Sequence, residues 1–480
     1  VRKVLLIFFA LATLALVGCG PIAPLGADNV NLIFVSTPDL AYQAPGDINP
    51  TTANLSNQGL QRSLRMATFL KQQVLGGKNV NRIYALAPMT HLQTANKYPD
   101  MAALGYIQQF ALLNQIALTG SGGYGSPPFT GNSYPLVASY ASGPVPSGVA
   151  TPLVPCPGCQ GLTFNDTAGN NKALVDGSIS YHVPGLYVFA APWETISALM
   201  ADINKQYGYG LSLPAAYPGP NDVYAITITP SKSARFVTFH ADLNPPSTYP
   251  VLPSAVATNS PCTAQKPFSI AATEGINDAK IPLGINFNET AYLIRHAEAH
   301  PLSGWDDGNF VAAGQWRALA LSNALRGKIS PTVVYSIDPA QVLPNSYTIA
   351  GGIDFSYVRP ALTVEPYAIA NNLPFYLVSD LEIFDPTSPI TTSAKIFSGG
   401  TLSNTTLLLA WEHNHFPPII TELLASYYPA NKVPTVPAWP GGDYDTIWTV
   451  KLDAQGNLTV DNALCQGIDS SKLPATAPQY

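Results

Sequence analysis

Short apolar runs that stop abruptly at polar or small residues alternate with longer stretches of helical period along most of the chain. Asn31-Leu-Ile-Phe-Val-Ser36 and Ala291-Tyr-Leu-Ile-Arg295 read as buried strands running into turns. A helical face follows each one. Leu60, Leu64, Ala67, Leu70 and Val74 mark the first; Trp316, Leu319, Ala320, Asn323 and Ala324 mark the second, with Asn323 its polar exception. Small-residue turns, Ser56-Asn-Gln-Gly59 and Ala312-Ala-Gly314, open both helices. Shorter strands come next at Arg82-Ile-Tyr-Ala-Leu-Ala87 and Thr332-Val-Val-Tyr-Ser336, then at Gly185-Leu-Tyr-Val-Phe-Ala190 and Thr406-Leu-Leu-Leu-Ala410. Both series close on a β-hairpin, Asp222 to Phe239 and Asp445 to Val460, the second turning at Asp453-Ala-Gln-Gly456.

One order of elements therefore occurs twice, and two copies of one α/β unit are expected, at 28–245 and 285–480. Strands alternating with helices predict mainly parallel sheets with helices on both faces, and a ligand at the carboxyl ends of the strands. A Pro/Ser-rich connector is expected over 246–284, and a Gly/Pro/Ser-rich insertion over 119–184 in the first copy.

Composition narrows the function. Charged residues make up only 11% of the chain, and the abundant proline (45) and glycine (37) predict many ordered loops. A formal charge of -6 with no basic cluster argues against nucleic acid as a partner. Arg2 and Lys3 precede an apolar run from Val4 to Val17 that ends in Leu16-Val-Gly-Cys19, which reads as a secretory signal over 1–19. The run is shorter than the roughly 20 residues of a spanning helix. Its ending resembles a bacterial lipobox, which implies a lipid on Cys19 and an extracytoplasmic, envelope-anchored protein. Val1 in place of methionine points to an alternative bacterial start codon. An even set of remaining cysteines in an exported chain favours disulfides: a local bridge within Cys156-Pro-Gly-Cys159, and Cys262 with Cys465.

The candidate chemistry lies in the second copy. One strand ends in Arg295-His296, and another, Thr406 to Trp411, runs into Glu412-His413. A histidine can attack phosphorus while cations hold the charge spread over the phosphoryl oxygens. Arg295-His296-Ala297, Gly314 at the next helix start, Arg359-x-x-x-Thr363, and Trp411-Glu412-His413-Asn414 occur in an order that resembles the histidine phosphatase superfamily, the phosphoglycerate-mutase-like proteins. That resemblance implies two tandem phosphoglycerate mutase-like α/β domains and a metal-independent phosphomonoester hydrolase with no cofactor. It implies His296 as nucleophile, Arg295 and Arg359 as phosphoryl clamps, His413 as a further stabiliser, and a small phosphorylated substrate. Glu382, Glu412 and Glu298 are the candidates for the proton donor. Ala297 replaces the family's usual glycine. Pro301 fits the acid phosphatase and phytase branch, but Ala299 stands where that branch has a further arginine.

The first copy lacks these groups. Ser36 and Thr37 take the places of Arg295 and His296, Thr90 that of Arg359, and a residue near Pro192 that of His413; His91 and His240 are not expected to rebuild a pocket. Two rival readings stand beside the phosphatase. One is a catalytically idle envelope binding or scaffold protein on the same fold. The other is a metal-dependent hydrolase using His296, His300, His413 and His415.

Overall fold

The computed structural model describes residues 22–114, 133–138, 161–164, 166, 169–262, 265–299, 307–343, 355–378 and 388–480. The signal segment, Cys156 and Cys159, His300, Pro301, Glu382 and most of the 119–184 insertion lie outside them. None of the described helices is long and apolar enough to cross a membrane.

The first sheet uses β1 (Val30–Thr37), β2 (Arg82–Ala85), β3 (Gly185–Pro192), β4 (Asp222–Ile228) and β5 (Ala234–His240), in the order β2-β3-β1-β4-β5. The second uses β6 (Ser269–Ala272), β7 (Glu289–Arg295), β8 (Val333–Ile337), β9 (Phe375–Val378), β10 (Thr406–Trp411), β11 (Thr446–Leu452) and β12 (Leu458–Cys465). Its order is β9-β8-β10-β7-β11-β12-β6.

The fold is α/β, as expected, but the sheets are mixed rather than mainly parallel. β2, β3 and β1 run parallel, while the β4–β5 hairpin adds antiparallel strands to the same sheet. β9, β8, β10 and β7 are likewise parallel, and β11, β12 and β6 antiparallel. A two-strand hairpin needs only a tight turn, so the terminal hairpins join the edge without a helical crossover. The expected connector contributes β6, and Cys262 within it is bonded to Cys465 at a Cα separation of 5.6 Å.

Helices α1 (Asn57–Phe69) and α5 (Ala312–Ala324) form where the apolar faces predicted them. Ser56 caps α1 by accepting from Gly59 N at 3.2 Å. At the matching point of α5, an added Cβ on Gly314 would lie 2.8 Å from Phe310 Cβ, so close packing favours glycine there. Helix α6 (Arg359–Asn371) begins at the second candidate arginine. Alternation in the central strands serves two layers. Ile294, Leu408 and Ala410 join the core with Leu321 of α5 and Leu362 of α6. Leu293, Leu407, Leu409 and Trp411 face Ile396 of α7 (Ser388–Phe397) and Ile419, Ile420 and Leu423 of α8 (Phe416–Tyr427).

The two halves share the larger apolar core, with α1 and α2 (Ala102–Leu112) packed against α6, while α3 (Asn170–Ser180) and α4 (Trp193–Tyr207) belong to the first half. Buried polar pairs cross this junction. Gln108 and Asn309 exchange amide hydrogen bonds of 2.8 and 3.0 Å, and Asn309 Nδ2 also donates to Tyr134 O at 2.8 Å. Ser133 Oγ donates to Asp307 Oδ2 at 2.6 Å, and Ala138 N donates to Ser356 Oγ at 2.8 Å.

Candidate active site

Parallel pairing of β7 with β10 brings Arg295 opposite Trp411, so both strands end at one level of the sheet. The pairing continues one residue further, with His296 N donating to Trp411 O at 3.0 Å. The Arg-His and Glu-His pairs therefore emerge side by side. Helix α6 supplies Arg359, and Thr363 one turn later ties it down: its hydroxyl donates to Arg359 O at 2.7 Å and accepts from Ala297 N at 2.8 Å. The Arg-x-x-x-Thr spacing is a clamp between the helix start and the strand end.

His296 is buried, and its Nδ1 lies 2.7 Å from Ala297 O. A carbonyl only accepts, so Nδ1 carries the hydrogen and Nε2 holds the lone pair. Burial is the main influence on its pKa and pushes it down; the Arg359 and Arg295 guanidiniums act the same way, against the Glu412 carboxylate, and the result is about 4. The ring is thus neutral at ordinary pH, with Nε2 directed at the Glu412 carboxylate. Glu412 is shaped by the opposite balance. Burial raises its pKa, while the His413 hydrogen bond and the Arg359 guanidinium act against burial and keep the carboxyl well below the usual range.

The Glu412 carboxylate is the focus of the cluster. Its Oε2 sits 3.1 Å from His296 Nε2, 3.6 Å from an Arg359 Nη and 2.6 Å from the Tyr357 hydroxyl, which donates to it. Its Oε1 pairs with His413 Nδ1. With Nδ1 holding the hydrogen, His296 turns a lone pair toward an anion, a contact that stabilises neither partner.

Arg295 donates to Gly441 O and lies over the Tyr444 ring, 4.0 Å from its centroid, while its buried Nε has no acceptor. Arg359 lies over the Tyr357 ring at 4.6 Å. Aromatic faces hold both guanidiniums flat.

Of the two candidate proton donors among the described residues, Glu412 is the one beside His296. Glu298 is engaged elsewhere, with its Oε1 2.7 Å from the fully buried Arg317 guanidinium and accepting from Ser470 Oγ at 2.7 Å. Glu382 lies outside the described residues. His415 stacks on Trp411 at 4.6 Å, and among the described residues the second-half histidines form no metal-type cluster. Sequence reasoning missed Tyr357, Gly441 and Tyr444. Tyr357 carries a weak signal, two residues before Arg359; the Pro440-Gly-Gly-Asp-Tyr444 loop carries none.

No known family model matches the chain, and no curated protein does. Solved structures similar to it in part include a phosphoglycerate mutase from Plasmodium falciparum, 15% identical over 41% of this chain and 99% of that one, with a TM-score of 0.24. The YhfR protein of Bacillus stearothermophilus shows 14% identity over 38% and 98%, with a TM-score of 0.22. The SixA protein of Agrobacterium tumefaciens, assigned as a phosphohistidine phosphatase, shows 14% identity over 34% and 92%, with a TM-score of 0.21. At such values the likeness is limited to part of the backbone course.

Proposed function

We propose that this chain is a phosphomonoester hydrolase working through a phosphohistidine on His296. The observation that supports the reading is a buried carboxylate ringed by the His296 Nε2 nitrogen, Arg359 and a second histidine, with Arg295 near enough to His296 to act on its pKa. Guanidinium and imidazole groups converging on a carboxylate can equally receive a phosphoryl group.

In the first step His296 Nε2 forms a bond to phosphorus while the ester P–O bond breaks and the departing oxygen takes a proton. Arg295, Arg359 and His413 hold the charge on the phosphoryl oxygens. Water then attacks phosphorus, the P–N bond breaks, and orthophosphate leaves. In-line attack places the leaving oxygen opposite Nε2, so Glu412 must swing out of the seat as substrate arrives. A phosphate dianion beside it raises its proton affinity, and the displaced carboxyl becomes the donor to the leaving group.

The two sheets support the duplication reading. With β8, β10, β7, β11 and β12 set against β2, β3, β1, β4 and β5, order and directions correspond. In this reading the first half is a copy that has lost its phosphate groups. The Cys262–Cys465 disulfide fits an oxidising compartment and supports an extracytoplasmic protein tethered through Cys19, acting on a small phosphorylated substrate there.

Hydrolysis of p-nitrophenyl phosphate by the wild type and by His296→Ala tests the proposal. Turnover that disappears in the variant is expected, together with an acid-labile, base-stable phosphoenzyme in the wild type. No turnover by the wild type across acid and neutral pH would leave the idle scaffold as the better reading.

A further inference from the structure

The carboxyl end of the first sheet carries its own cluster of ionisable groups, opposite in sign to the one in the second half. Asp39 follows the end of β1, and His91 and Asp100 flank the short antiparallel ladder of Leu92–Gln93 with Tyr98–Pro99. His91 Nδ1 lies 2.8 Å from Asp100 Oδ2 and 3.4 Å from Asp39 Oδ2. The two aspartate side chains are 2% and 0% exposed, whereas His91 keeps an edge toward solvent and is stacked flat on Phe164.

The other carboxylate oxygens are occupied: Asp39 Oδ1 accepts from Ala41 N at 2.7 Å, and Asp100 Oδ1 from Ala102 N at 3.1 Å. These backbone bonds aim Asp39 Oδ2 and Asp100 Oδ2 at the same nitrogen. One imidazole N–H cannot serve both, and Asp39 Oδ2 is left buried with no hydrogen-bond partner. Charge is equally unbalanced. Asp39 has Asp100 and Glu194 as like-charged neighbours, with His91 and the Ala41 N–H acting against them. A buried carboxylate oxygen with no hydrogen-bond donor, beside a second buried carboxylate, is a position that a metal cation would satisfy.

We propose that Asp39, His91 and Asp100 bind a divalent transition-metal ion, zinc or manganese, at the strand-end position where the second half has its phosphate seat. The three ligand atoms lie within 4.8 Å of one another. Metal–ligand bonds of about 2.1 Å place neighbouring ligands about 3.0 Å apart in octahedral and about 3.4 Å in tetrahedral geometry. The observed spacings of 2.8 and 3.4 Å need little change. Mixed nitrogen and carboxylate ligands favour such ions over calcium or magnesium. Binding requires the lone pair of His91 Nδ1, so the Nδ1 proton leaves or moves to Nε2. The ion would tie the end of β1 to the 88–100 loop, independently of any phosphatase chemistry in the second half.

The test uses the whole protein, stripped with chelator and titrated with ZnCl2 and separately with MnCl2, following heat, bound metal per chain and melting temperature. About one equivalent is expected to bind and to raise the melting temperature. Affinity should fall at least a hundredfold in Asp39→Asn and in Asp100→Asn, and should persist in His413→Ala. Without metal, both Asn variants should melt at or above the wild-type temperature because they remove repulsion, which separates lost binding from lost folding. His91→Gln provides a third ligand variant should either Asn variant misfold. Absence of stoichiometric binding, or binding that survives the aspartate variants and disappears in His413→Ala, would overturn the proposal.

Discussion

Replacing Glu412 with glutamine removes one charge from the centre of the proposed phosphate seat and leaves its shape intact. The carboxylate lies 3.6 Å from an Arg359 nitrogen and 3.1 Å from His296 Nε2, and it is mostly buried. Two unit charges at that separation attract by about 5 kcal/mol at an effective dielectric constant of about 20. An incoming phosphate must give up that attraction before gaining its own. Solvent and the displaced pose of Glu412 recover much of it, which leaves a net handicap of about 1–3 kcal/mol, or roughly five- to a hundredfold in affinity. Glu412→Gln should therefore bind orthophosphate or orthovanadate more tightly by that factor, measured by calorimetry and by inhibition of p-nitrophenyl phosphate hydrolysis. Turnover should fall by about 10²-fold or more, because the amide cannot donate a proton as an acid does. Anion affinity that stays the same or weakens, with turnover intact, would falsify the placeholder role.

Three further outcomes follow from the same physics. His296 has a folded-state pKa of about 4, below its ordinary 6.5, so the unfolded chain takes up a proton first as pH falls between those values. That lowers stability by up to ~3 kcal/mol, and the wild type should lose melting temperature relative to His296→Gln across this window. Glu289 is buried, with Asn286 as its donor, and burial raises its pKa to about 8. Its stabilising effect is complete below 4.5 and is lost as pH rises through 8, so Glu289→Gln should match the wild type near pH 4 and melt a few degrees higher at pH 8. The Cys262–Cys465 bridge closes a span of 203 residues, for which chain entropy gives an upper bound of about 5 kcal/mol. Cys465→Ser should lower the melting temperature, measured against the wild type without reductant.

Much of the fold could be read where local pattern and tertiary role agreed. β1 and β10 are buried on both faces and read as continuous apolar runs, β7 is half-buried on one face at Thr290 and Tyr292, and the turn of the last hairpin falls at Asp453 to Gly456. Helix α2 escaped notice because it is buried almost all round, including Gln108 and Gln109, and so shows no polar stripe. Strand β6 was hidden in a Pro/Ser-rich segment, where only pairing with β12 makes Ser269–Ala272 a strand. At the candidate site, residues at strand ends were legible because the sheet alone delivers them to one edge. Tyr357 and Tyr444 arrive from loops, and the Glu412 pose depends on contacts between distant segments. His91 looked idle because its partners lie 52 residues before it and nine after it in sequence, and only the fold joins them.

The polar seam between the halves makes the first copy hard to dispense with. Gly308 O accepts from Arg359 N at 3.0 Å, and the loop around Gly308 is held by Gln108, Ser133 and Tyr134 of the other half. The first half is therefore the footing on which the proposed phosphoryl-clamping arginine stands. Residues 285–480 expressed alone should retain their strands yet lose the alignment of that guanidinium, which would make the first half indispensable to the second whatever chemistry it has of its own.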